Sequence, residues 1–278
     1  MGASRRKRDE FLKAHPTCIF CGNRPATTID HVPSRECFVS REAPEGFEFP
    51  ACHTCNSQSS QHELVSALYI RLCDHTDENF DFEQNKKHIA GVKNNAPEAL
   101  PNMKLRANQK RKARHDFPMY NYKGIAPSQL PLVGFPDCAQ FSIEIFGVKL
   151  GLALAYREYG KIYSNQTMCF AHISPMYHRS FERIVKLSER LSGVAKIGSR
   201  RNKNIGNQLR YSTGSSDDIS VSTFFVQFAQ SVVLWICFAE QSEEKIDDLK
   251  TRSWVRLVEY RNLMGMGLDA AYRSRGFR

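Results

Sequence analysis

Apolar positions along the chain change period several times, and each change marks an element. Residues 5–14 open on Arg5-Arg6-Lys7-Arg8 and pass to Glu10-Phe11-Leu12, a short basic helix closed by Pro16. Ala26 to Val32 is rich in β-formers and predicts a strand that Pro33 ends. Residues 34–46 read as a polar loop, and the alternating Phe47-Glu48-Phe49 predicts a second strand running into Pro50. From Thr54 to about Cys73, Leu64, Leu68 and Leu72 recur at a four-residue spacing, which predicts a helix.

Residues 74–130 show a weaker pattern, interrupted by Asn94-Asn95-Ala96-Pro97, and Pro118, Pro127, Pro131 and Pro136 then punctuate a boundary. Beyond it, Gln140 to Phe146 predicts a strand and Gly147 to Tyr156 the body of a buried helix. Ser180 to Leu191 carries Phe181, Ile184, Leu187 and Leu191 on one stripe, an amphipathic helix. Gln208 to Ser212, Ile219 to Phe228 and Ser231 to Phe238 predict strands, the last pair a hairpin. The mixture points to the α+β class. It divides into an N-terminal module (1–75), a basic, partly helical linker region (76–138) and an α+β C-terminal domain (139–278) that regulates, selects substrate or oligomerises.

Composition changes this picture little, and charge changes it more. With 41% hydrophobic and 24% charged residues among 278, the chain suits a folded protein. The longest apolar-rich stretch, Phe224 to Ala239, is broken by Gln227, Gln230 and Ser231, so no membrane span is expected. The charged N-terminus has no apolar segment behind it, and a cytoplasmic location is the expectation. A net charge of +10 and a pI near 9.2 favour a polyanionic partner such as DNA. Lys110-Arg111-Lys112, inside the basic run 104–114, is the candidate contact, with a solvated linker face as the alternative. Lys196 to Lys203 reads equally as a phosphate-binding stretch or a solvated loop, and the Phe-rich strands read as core.

Nine cysteines, an odd count, argue against a disulfide framework. Four form two pairs, Cys18-x-x-Cys21 and Cys52-x-x-Cys55. Each pair can turn both thiolates toward one ion, and two such knuckles make a closed tetrahedral site, the arrangement of structural zinc. Between the pairs lies Asp30-His31-Val32-Pro33, and Asn56 follows Cys55 directly.

The order CxxC, Asp-His, CxxC-Asn resembles the HNH (ββα-metal) endonuclease family, in its four-cysteine branch that includes phage endonuclease VII. The resemblance covers roughly residues 15–65, about a fifth of the chain. It implies a β-hairpin and helix gripping a divalent metal, and hydrolysis of DNA phosphodiester bonds. His31 would be the general base, since a neutral imidazole can take a water proton near pH 7. Asp30 and Asn56 would be oxygen ligands for Mg²⁺ or Mn²⁺. Neighbours on a regular strand point to opposite faces, so the strand must end or twist at Asp30 for both to serve one site. Glu63 and His62 are further ligand candidates; Glu63 has the better helical angle below Asn56, although solvent-facing roles would suit both. His53 reads as a knuckle or DNA-facing residue. The expected function is a metal-dependent endonuclease, with an antiphage-defence effector as one setting and a homo-oligomer or partner protein engaged through the C-terminal domain. The alternative is a non-catalytic, zinc-stabilised nucleic-acid-binding protein.

Overall fold

The computed structural model describes residues 3–74, 82–101, 105–116, 134–175, 178, 194–195, 205, 208–229, 231–240 and 255–264. Helix α1 (Ala3–Ala14) stops just short of Pro16, whose ring disfavours helical backbone at the residue before it. Its Arg8 donates to the Thr27 carbonyl (2.8 Å), laying the helix beside strand β1 (Thr28–His31). β1 pairs antiparallel with β2 (Glu48–Ala51), with Asp30 opposite Phe49 and His31 opposite Glu48. The alternation of the strand is kept: Asp30 is buried and His31 half-exposed.

The helix expected over 54–73 is two helices, α2 (His53–Gln58) and α3 (Ser60–Leu72), divided at Ser59. Ser59 is fully buried and its hydroxyl bonds back to the Cys55 carbonyl (3.1 Å), competing with the regular ladder at the junction. Among the described residues of 74–130 lie the α-helices α4 (Phe82–Asn95) and α5 (Ala107–Asp116). The weak pattern has a physical cause. α4 buries Asn85, His88 and Val92 against α3, so its inner face is largely polar. Asn85 accepts from Arg71 (2.8 Å) and His88 Nε2 lies 3.0 Å from Glu36, so two of the three inward residues meet polar partners.

The strand expected over 140–146 is instead the first half of one long helix, α6 (Asp137–Tyr159). Pro136 starts it and Gly160, in the left-handed conformation (φ 64°), ends it. α6 is buried almost all round, and a helix without a polar face shows no helical period to read. It is long and apolar enough to cross a membrane by length and composition, yet 89% of its most apolar window is buried inside the protein.

Strands β3 (Met168–Pro175), β4 (Val194–Ala195), β5 (Leu209–Ser215), β6 (Val221–Phe228), β7 (Val232–Ala239) and β8 (Val255–Arg256) form a second antiparallel sheet, in the order β4-β5-β6-β7-β3-β8. β6 and β7 are a hairpin. Helix α7 (Leu257–Met264) follows β8 directly. The Phe residues of β6 and β7 are core: Phe224, Phe228 and Phe238 are fully buried. One continuous apolar cluster runs from Cys18 and Phe20 through α3 and α6 to the sheet and α7, so the cysteine-bearing module shares its core with the C-terminal half. The amphipathic helix expected over 180–191 and the basic stretch 196–203 lie outside the described residues.

α6 approaches the sheet through Gly147 and Gly151, one turn apart on one face. A Cβ at Gly151 would sit 2.5 Å from Ile236 Cγ2 and 2.7 Å from Phe238 Cε2. Gly151→Val therefore overpacks the α6–sheet seam, and overpacking costs about 1–3 kcal/mol. A fall in melting temperature of roughly 3–10 °C, read by calorimetry, is the expected result.

Candidate functional site

The two knuckles fold as the spacing demands. Cys18 starts a turn closed by Gly22 N–H donating to the Cys18 carbonyl (2.8 Å), with Gly22 in the left-handed region (φ 73°) that favours glycine. Cys52 caps α2, its Sγ accepting from the Cys55 amide (3.4 Å). The four Sγ atoms lie within 4.8 Å of one another; Cys18, Cys21 and Cys52 are buried and Cys55 half-buried. Tetrahedral zinc at about 2.3 Å from each sulfur requires sulfurs about 3.8 Å apart, a small contraction of this group. The four thiols can thus hold a metal ion such as zinc, and the donor set fits.

The surroundings fit as well. A hydrogen bond from Cys55 holds the Cys18 thiol down at about 4, and the same bond pushes Cys55 upward. The negative sulfurs, Cys52 first, raise the exposed Arg24 guanidinium. Arg261 on α7 donates to the Phe20 carbonyl inside the first knuckle (2.6 Å) and to the Tyr163 carbonyl (2.8 Å), clamping the knuckle to the C-terminal half.

The hairpin between the knuckles presents His31 at its open end. Nε2 lies 2.9 Å from the Arg35 guanidinium and 3.3 Å from Glu48 Oε1 across the strand pair. Burial, with Arg35 beside it, lowers the imidazole below its ordinary value. The ring is therefore neutral at pH 7 and able to accept a proton. Neither Arg35 nor Glu48 was marked by the sequence motif; only the hairpin register and the short turn after β1 bring them to His31.

Asp30 points the other way, into the protein, where it meets Lys149 of α6: Nζ to Oδ2 is 2.6 Å. Lys149 also donates to Ser59 Oγ (2.7 Å) and to Glu63 Oε1, and its side chain is 1% exposed. Two of its three donors go to oxygens of the α2–α3 junction and α3, and the Asp30 carboxylate of β1 adds the ion pair. Burial alone would lower this lysine, but Glu63 and Asp30 outweigh it and hold it above the ordinary value. The Phe20 ring lies 5.0 Å from the same nitrogen.

The expected oxygen ligands of Mg²⁺ or Mn²⁺ do not fit that ion as they stand. Asp30 Oδ2 is covered by the Lys149 ammonium, while the Asn56 amide nitrogen donates to Thr28 Oγ1 (2.9 Å), a bond that does not use its Oδ1. Glu63 joins Asp30 through Lys149, because the break at Ser59 turns α3 away from α2. Neither His62 nor Glu63 takes the solvent-facing alternative: His62 is buried and faces α6, 3.3 Å from Ser142 Oγ, and Glu63 is half-buried and turned to Lys149. His53 is exposed beside the second knuckle. On α5, Lys110, Arg111 and Lys112 are all exposed. No protein-family model, curated protein or solved structure matches the chain.

Proposed function

We propose that the chain is a nucleic-acid phosphodiester hydrolase of the HNH kind, its hairpin clamped by structural zinc on Cys18, Cys21, Cys52 and Cys55, with DNA as substrate. The observation that carries this reading is His31. It stands half-exposed and neutral at the end of a hairpin whose strands lead out of one knuckle and into the other. His31 takes the proton of a water whose oxygen forms a bond to phosphorus, the bond to the sugar oxygen breaks with its electron pair, and that oxygen takes a proton from solvent. Arg35 now donates toward His31 Nε2; an arriving phosphate draws the guanidinium to itself, leaving Nε2 free for the water and placing a positive charge on the phosphoryl oxygens. Once Nε2 has taken the proton, Glu48 Oε1 on the neighbouring strand can accept it in a hydrogen bond and stabilise the imidazolium. No step is assigned to a divalent ion.

A second reading has its own support: the Asp30–Lys149 pair closes the expected ion site, which suits a zinc-stabilised protein that binds nucleic acid without cutting it. Incubating the full chain with plasmid, single-stranded and branched DNA separates the two. Cutting that His31→Ala lacks supports the hydrolase, and binding without cutting of any form supports the alternative.

Both readings use the basic surface. Reversing Lys110, Arg111 and Lys112 to glutamate is expected to weaken DNA binding at low salt far more than at high salt. Each lost phosphate contact should flatten the plot of log K against log salt by about 0.9. Fluorescence anisotropy across a salt series measures this, and an unchanged curve would make α5 a solvated face only.

A further inference from the structure

We propose that Lys149 is the resident cation of the hairpin site: its ammonium, delivered by α6, fills the oxygen cage of Asp30, Glu63 and Ser59 and keeps divalent ions off Asp30. The inference rests on reading the hairpin as the working site, and it concerns what neutralises that site's inward carboxylates.

The cage is a cation site by its chemistry. Two carboxylates and a hydroxyl converge from three elements on a point that is closed to solvent, an all-oxygen set of the kind hard cations take. Glu63 is only 12% exposed and Asp30 7%. Burial pushes the Glu63 carboxyl up, Lys149 pulls it back down, and Asp30 beside it adds to the rise. Such a pair persists only with a counter-charge in place. Lys149 donates to Ser59 and Glu63 and pairs with the Asp30 carboxylate, and its helix delivers it there. Gly147 and Gly151, two residues either side of it, seat the opposite face of α6 on the sheet, which fixes the Lys149 backbone beside the cage. A freely exchanging metal is thereby replaced by a side chain fixed in the fold.

Two consequences follow. The hairpin does not have a complete inner site without the C-terminal half, because the counter-charge comes from α6. A divalent ion at His31 would therefore take its ligands from outside this cage.

The test is manganese binding by the zinc-loaded full chain, followed through the electron paramagnetic resonance signal of free Mn²⁺ and through thermal melting. Wild type and Asp30→Asn are expected to titrate alike, with no Asp30-dependent ion. Lys149→Ala vacates the cage and is expected to take up one Mn²⁺, with a melting temperature that rises by about 5–10 °C when the ion is at 100 times its Kd. Adding Asp30→Asn to Lys149→Ala should abolish both effects. One Mn²⁺ bound by wild type and lost in Asp30→Asn would overturn the proposal, and so would a folded Lys149→Ala protein indifferent to Mn²⁺. If Lys149→Ala does not fold, the comparison of wild type with Asp30→Asn decides alone. No substrate is involved, so a protein that cuts nothing leaves this result intact, and an Mn²⁺ ion at Asp30 would leave the role of His31 standing.

Discussion

Cys52→Ser protein is expected to purify with its zinc lost and its N-terminal module unfolded. Structural zinc contributes on the order of 10–16 kcal/mol of apparent binding energy in small domains, and that energy is folding energy where no site exists in the unfolded chain. Cys52 has two tasks here, as one of the four sulfurs and as the cap whose Sγ receives the Cys55 amide at the start of α2. Serine can cap a helix but is a poor zinc ligand, so the substitution separates the tasks and removes the ion. The damage should spread past residue 75. The first knuckle lies in the same apolar cluster as α3, α6 and the large sheet, and Arg261 ties its Phe20 carbonyl to α7. Metal analysis should fall from about one zinc per chain to almost none, with a loss of helical circular dichroism. Cys73→Ser and Cys138→Ser, at thiols outside the group, should keep the zinc. Full zinc retention in Cys52→Ser would defeat the four-cysteine assignment.

The chain announces some of this architecture and hides the rest, for reasons that differ by element. The hairpin and the knuckles are legible because their signals are local: a CxxC turn, a β-rich run stopped by Pro33, an alternating Phe-Glu-Phe. α4 was concealed because Asn85 and His88 occupy its inner face. α6 was misread over 140–146 because a helix buried on all sides shows no period, and Ile143 and Ile145 mimic strand alternation. The same helix held the most telling signal that went unused. Lys149 is the one charged residue in Gly147 to Tyr156, and a lysine inside an apolar helix must find a buried counter-charge. What no local pattern could show is its partner, since Asp30 lies 119 positions earlier in the chain, as the residue numbers give. The geometric difficulty noted for Asp30 and His31 had a plain resolution: the strand stays regular, and the two residues serve opposite sides, one the protein interior and one the solvent.

That division makes His31→Ala the most informative substitution for function. Cleavage should fall by about 10²–10⁴, the usual contribution of a general base. Zinc content, melting temperature and DNA affinity should stay close to wild type. The imidazole is half-exposed and bears no part of the core, and in the proposed reading affinity comes from phosphate contacts spread over the basic surface. The pH profile of the wild type supplies the second signature. A base must be unprotonated to act, so the rate should be on its plateau at pH 7 and fall as acid protonates the ring. Burial and Arg35 lower the imidazole's value, which places that fall below the ordinary histidine range near 6.5. Arg35→Ala should shift the fall toward higher pH, because the neighbouring positive charge is gone, and should slow cleavage through loss of charge on the phosphate. A structural role for His31 would instead lower the melting temperature and leave the profile in place. If His31→Ala cuts DNA at the wild-type rate, the hairpin is not the reacting centre, and the zinc-clamped module is better read as a structural element that binds nucleic acid.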